Sequence, residues 1–155
     1  MFNKLDEDNS YVIFQLGNTY YGIRSKYIQQ IEMIENITHV PNVPNYIEGV
    51  VFSRGKVIPA INLRVRLGME KIHFNIKTRM IVVKVKNREV GLIVDSAREY
   101  TTISKDKIQE SFEDIFEVSE RFLEGVANLG DRLILILNLE EILKEGGKES
   151  EEEKK

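Results

Sequence analysis

The sequence predicts an all-β fold with short helices, built from a duplicated unit, and three observations carry that prediction. Ile and Val together number 33 against only 3 Ala, a bias toward side chains that are stiff at χ1 and suit a pleated sheet better than a helix. The stretch from Val40 to Gly68 holds all three prolines and reads as turn, strand, tight turn, strand. Two blocks then recur in the same order. At an offset of 69 residues, Val12-Ile13-Phe14 falls on Ile81-Val82-Val83, Asn18 on Asn87 and Gly22 on Gly91; at an offset of 76, Glu48-Gly49-Val50 falls on Glu124-Gly125-Val126, Ile58 on Ile134 and Asn62-Leu63 on Asn138-Leu139. Each half offers about five short strands, enough to close a small barrel and remove its edges.

Residues 1–10 are polar and acidic and predict a flexible lead-in. Tyr11–Leu16 and Tyr20–Arg24 flank Gly17-Asn18-Thr19, a hairpin signal. Ser25 is placed to cap one helical turn over Lys26–Ile28, and Gln29–Ile34 reads as a weak strand. Pro41 and Pro44 exclude a regular helix across the next segment. Strands follow at Gly49–Phe52 and Lys56–Ile61, with Gly55 supplying the positive φ of the hairpin turn between them. Asn62 is an N-cap for a turn of helix over Leu63–Leu67, and Gly68 stands at its C-cap. After the polar connection Met69–Thr78 come strands at Met80–Val85 and Val90–Val94. Ile108–Phe122 is acidic and mixed, reads as an extended loop with one helical turn, and holds the seven residues by which the two offsets differ. Asn138, with Glu141 three residues on, resembles a capping box for a helix ending at Gly146-Gly147. The acidic tail over 146–155 has no apolar content and is expected to be disordered. The domain therefore spans 11–145, in halves of about 11–75 and 76–145. Val50, Val57, Ile58, Ile61, Ile81, Val83, Leu92, Ile134, Ile136 and Leu139 are the expected core.

Composition excludes several kinds of function. The net charge is −3 with no dense Lys/Arg stripe, which argues against nucleic acid. There is no cysteine, hence no disulfide, thiolate nucleophile or cysteine zinc site. No apolar run approaches a membrane span and the N-terminus lacks a signal-peptide core, so no direct membrane insertion is expected and a cytoplasmic location is. Asn36-Ile37-Thr38 matches a glycosylation sequon by chance. His39 and His73 lack metal-ligand spacing. Gly49–Lys56 fails as a phosphate loop: five residues separate its glycines, Val57 stands where Ser or Thr must reach magnesium, and a strand follows where a helix is needed. Asp95 ends a strand as a lone charge. No catalytic, cofactor or metal site is expected.

Recognition is the stronger signal, and it brings a family resemblance. Gly49, Val50, Arg54, Gly55, Pro59, Asn62, Leu63, Arg64 and Gly68 fall in register with the signature of CheW, the chemotaxis adaptor, and the resemblance runs from about Tyr11 to Leu143. The usual Asn-Leu before Arg-Gly is Phe52-Ser53 here. The resemblance implies two five-stranded SH3-like β-barrels packed side by side and a non-enzymatic scaffold. Its implied partners are the regulatory domain of the histidine kinase CheA and the cytoplasmic tip of methyl-accepting chemotaxis receptors, in arrays at the inner membrane. Arg54 matches a position linked to receptor and kinase coupling, and Ile28-Gln29-Gln30-Ile31 matches another. Gln30 replaces the usual glutamate, so a salt bridge there becomes a neutral hydrogen bond or is lost. Arg54 either ties its turn to neighbouring backbone or meets a partner directly, and both roles are compatible. Gly49 and Gly91 match family glycines, read first as positions with no room for Cβ. With Gly55, Val50 and Val51 completing the expected partner-binding set, Ile28, Ile31, Val50 and Val51 would form an apolar strip beside the groove between the barrels. The rival is a two-barrel nucleic-acid- or protein-binding module unrelated to chemotaxis, with Tyr20-Tyr21-x-x-Arg24 as its aromatic and basic strand face.

Overall fold

The computed structural model describes residues 8–110 and 120–144. The first half contributes β1 (Ser10–Leu16), β2 (Thr19–Arg24), β3 (Ile28–Met33), β4 (Ile47–Ser53) and β5 (Lys56–Asn62), then the short helix α1 (Leu63–Arg66). The second contributes β6 (Arg79–Val85), β7 (Arg88–Val94), β8 (Ser96–Thr102), β9 (Ile108–Gln109), β10 (Leu123–Asn128) and β11 (Leu133–Leu137), then α2 (Leu139–Ile142). Asn62 and Asn138 cap the two helices as expected, accepting from the backbone N–H of Val65 at 3.3 Å and of Glu141 at 3.2 Å. Ser25 does not cap: the 3₁₀ turn Ser25–Tyr27 has Arg24 at its cap position and no side-chain cap bond. The lead-in is ordered at least from Asn9, whose carbonyl accepts from Ile103 N–H at 2.8 Å, and Ser10 is fully buried. Residues 1–7 of that lead-in, the middle of the acidic loop, the expected helix end at Gly146-Gly147 and the tail lie outside the described residues.

The sheets do not follow the halves. One sheet has six strands in the order β8-β1-β2-β11-β10-β9, the other five in the order β3-β6-β7-β5-β4. Each half therefore lends strands to the other barrel, which corrects the expectation that 11–75 and 76–145 each close one. The duplication nevertheless holds residue by residue. Parallel β2–β11 pairing sets Gly22 opposite Ile136, and parallel β5–β7 pairing sets Gly91 opposite Ala60, the same pair at the two offsets. The antiparallel pairs Ile13↔Glu99 and Phe14↔Ala97 of β1 and β8 recur as Val82↔Gln30 and Val83↔Ile28 of β6 and β3, including the register shift between them. Pro59 is compatible with its inner strand because the ladder between β5 and β7 begins just past it, at Ala60.

Strand exchange explains why the hairpins β1–β2 and β6–β7 are so continuously apolar. Tyr11 and Ile13 on one face of β1 enter a small core with Ile103, Ala127, Ile134 and Ile136, while Phe14 and Leu16 on the other join a larger core shared by both sheets. The second barrel has its own small core of Val51, Ile58, Ala60, Met80, Val82 and Ile93, whereas Ile81, Val83 and Leu92 reach the shared one. The two expected barrel cores are thus three. Of the ten expected core residues, Val50 is only half-buried and Val57 is 66% exposed, because alternation along β4 and β5 turns both to the outer face.

Candidate partner-binding site

The turn between β4 and β5 is a two-residue loop with positive φ at both positions, 51° at Arg54 and 82° at Gly55. That is the twist a tight hairpin needs. It holds Arg54 out in solvent, and the guanidinium donates from Nη1 to Gln30 Oε1 at 2.9 Å. Two candidates 24 residues apart are thereby brought together. The Gln30 amide donates in turn to Ser53 Oγ at 2.8 Å, and that hydroxyl donates to Glu32 Oε2 at 3.0 Å. The chain of donors has one direction: a guanidinium only donates, so Gln30 must offer it the carbonyl, and the single Ser53 proton goes to the carboxylate. β3 and β4 are the two ends of the five-stranded sheet, so this network stitches the second barrel shut at the root of the Arg54 turn.

Ser53 and Glu32 are hydrogen-bonded neighbours of the candidate pair that the sequence reading does not single out. Glu32 stands two residues after Gln30, on the same face of β3, and that spacing is the signal that could have found it. The other candidates separate. Ile28 is half-buried against the shared core, Ile31 is 40% exposed on the face opposite Gln30, and Val51 lies inside the second barrel. Val50 sits on the outer face of β4 opposite Pro59. Ile28, Ile31, Val50 and Val51 therefore do not make one strip, since strand alternation sends Val50 and Val51 to opposite sides. Gly49 is a backbone requirement: with φ at 152°, an added Cβ would lie 2.1 Å from the Thr38 carbonyl oxygen. Beside the turn, Phe52 and Val57 face each other across the strands at 74% and 66% exposure, an apolar pair held open to water.

Asp95 is not a lone charge. It takes Arg64 Nη2 at 2.6 Å, Arg64 Nε at 2.9 Å and the Gly17 N–H at 2.7 Å. Gly17 is in the β1–β2 turn of one sheet and Arg64 is on α1, which follows a strand of the other, so this carboxylate clamps the two barrels together. Tyr20-Tyr21-x-x-Arg24 does not form an open aromatic and basic face. Tyr21 is buried and stacks on Phe14, Arg24 is paired with Glu124 at 3.1 Å, and Tyr20 is covered by Arg132.

Among the described residues no cluster of His, Cys, Asp and Glu is placed to hold a metal, and the exposed Arg54 turn on a two-barrel fold has the form of a binding module. The family comparison says which. Residues 10–146 match the model of the CheW-like domain. The chain is similar to the chemotaxis protein CheW of Helicobacter pylori, 34% identical, covering 89% of this chain and 86% of that one. It is also similar to the CheW of Klebsiella aerogenes, 30% identical, covering 86% of this chain and 80% of the other. The crystal structure of the scaffolding protein TtCheW from Thermoanaerobacter tengcongensis superposes with a TM-score of 0.82 at 30% identity, covering 90% of each chain. The chain belongs to the CheW family, the non-enzymatic scaffold adaptors of chemotaxis. Among the described residues no helix is long and apolar enough to cross a membrane.

Proposed function

We propose that this adaptor works in the cytoplasm, in arrays at the inner membrane, where it couples methyl-accepting chemotaxis receptors to the regulatory domain of the histidine kinase CheA. The observation that carries the reading is the Arg54–Gln30 pair: two positions that the family resemblance marks in separate segments are joined by one hydrogen bond, between the exposed β4–β5 turn and β3. Arg54 and Gln30, with Gly55 shaping the turn and Ile31 beside it, are the contact set. Gly49, Val51 and Ile28 support it from behind, and Val50 flanks it. A guanidinium bonded through one nitrogen keeps further donors for a partner carboxylate or carbonyl.

The test is Arg54→Lys and Arg54→Ala in a reconstituted mixture of receptor fragment, kinase and adaptor. Both variants keep the fold by circular dichroism, and both lose most receptor-dependent kinase activation, because an ammonium does not reproduce the planar fork. Full activation by both would remove Arg54 from the contact set.

A further inference from the structure

Arg54, Gln30, Ser53 and Glu32 form one relay across the gap where β3 and β4, the two ends of the five-stranded sheet, meet without a ladder. Two of its members can be turned round and two cannot. A guanidinium only donates and a carboxylate only accepts, whereas an amide and a hydroxyl do both and reverse with almost no movement of heavy atoms. With Arg54 at one end and Glu32 at the other, a single ordering satisfies every bond: Arg54 Nη1 to Gln30 Oε1 at 2.9 Å, Gln30 Nε2 to Ser53 Oγ at 2.8 Å and Ser53 Oγ to Glu32 Oε2 at 3.0 Å. Glu32 is the member that removes the alternative. Without an acceptor-only group there, the Ser53 proton is free to turn to the Gln30 carbonyl; the amide then turns over and sets its NH2 against a guanidinium that has nothing to accept it. Ser53 is buried, so its hydroxyl draws on this relay rather than on water. Gln30 and Ser53 are also two places where the chain leaves the family signature, which has glutamate and leucine there, and the two departures touch. A carboxylate at position 30 would take Arg54 by itself. The amide needs an acceptor for its own N–H, which serine offers and leucine cannot.

We propose that Glu32 is a positioning residue for partner recognition: acting through Ser53 and Gln30, without touching a partner itself, it fixes the direction of the relay and so holds the Arg54 fork in the orientation a partner meets. This deepens the adaptor reading and rests on it for the role of Arg54. An arginine on an exposed turn otherwise samples many rotamers, and ordering it in advance lowers the entropy lost on association.

The experiment reads Arg54 first in the full chain alone and then in the reconstituted mixture of receptor fragment, kinase and adaptor, with thermal melts to check that each variant is folded. Nitrogen relaxation of the Arg54 Nε–H group, assigned by its loss in Arg54→Lys, reports the order of the guanidinium before any partner is present. Glu32→Gln is nearly isosteric and lets the relay run in either direction; Ser53→Ala breaks it while keeping every charge. Each is expected to lower the order of the Arg54 group and to raise the adaptor concentration for half-maximal kinase activation about threefold to tenfold, the range of one net hydrogen bond. The double variant Glu32→Gln/Ser53→Ala goes no further than either alone, because both interrupt one relay. Gln30→Glu/Glu32→Gln keeps the net charge and sets the carboxylate beside Arg54, so that the amide at position 32 donates to Ser53 and the hydroxyl donates to the carboxylate at position 30. It restores Arg54 order and recovers most of the lost activation. Glu35→Gln removes one charge from an exposed position further along the chain and matches the unaltered protein in both readouts. Unchanged Arg54 order or unchanged activation in either Glu32→Gln or Ser53→Ala overturns the proposal. So does a swapped variant that folds and recovers nothing, or an effect of Glu35→Gln equal to that of Glu32→Gln, since Glu32 would then act through its own contact or charge. Full activation by Arg54→Ala, with Arg54 order still falling in Glu32→Gln, removes Arg54 from the contact set, and with it the partner role of Glu32, while the relay itself stands.

Discussion

At Asp95, burial on its own would push the carboxyl up, but the Arg64 guanidinium and the Gly17 N–H more than offset it and hold the group below its ordinary value. A carboxyl lowered on folding adds stability that is fully present above the unfolded range, near pH 4, and is lost as pH falls through the folded value. Asp95→Asn is therefore expected to cost roughly 1.5–3 kcal/mol at pH 7, the usual worth of hydrogen bonds to a charged group. In urea melts across pH, the gap to the unaltered protein should stay constant above about pH 5 and close below about pH 4. A gap independent of pH would mean that the clamp works through shape alone. An ion pair between residues 31 apart leaves no mark on local periodicity, which is why the sequence makes Asp95 a lone charge and the fold makes it a clamp. Arg54 and Gln30 were legible as candidates through the family signature. Their contact was not, since it depends on β3 and β4 meeting at the ends of a curled sheet.

Strand identity is written in Val and Ile runs, and nearly every strand is legible from them. β8 and the two-residue β9 are the exceptions: Ser96-Ala97-Arg98-Glu99-Tyr100 carries no alternation and is held by its ladder to β1, and Ile108-Gln109, at the start of what reads as a loop, is held by β10. Which face of a strand is buried is harder to read, because several central strands are buried on both. Ile134 is fully buried in the small core of the first barrel, and Ile134→Ala should cost about 2–5 kcal/mol in chemical denaturation. Val57, at 66% exposure, is the contrast: Val57→Ala should stay within about 0.5 kcal/mol. Equal costs would place the register of β5 or β11 wrongly. Gly49 makes a backbone case at the same scale, since Gly49→Ala forces its strand away from Thr38 and should lower the thermal midpoint by several degrees.

Across the whole molecule, the repeat shows in the sequence, but the exchange of strands between its copies does not. Offsets of 69 and 76 say which residues are equivalent, and they are silent on whether a hairpin pairs within its own copy or with the other. Exchange has a direct consequence. A chain split between Ile72 and His73, in the connection without regular structure, should give two fragments that are each unfolded alone and regain β-sheet circular dichroism when mixed. A fragment that folds by itself would contradict the shared core. The adaptor account needs both barrels in one rigid piece, so that a partner held on one is fixed relative to a partner held on the other. The most direct measurement is autophosphorylation of the CheA kinase mixed with receptor fragment, with and without this chain. The account predicts that receptor stimulates the kinase only when the chain is present and that the chain alone has no such effect; stimulation of equal size without it would contradict the account.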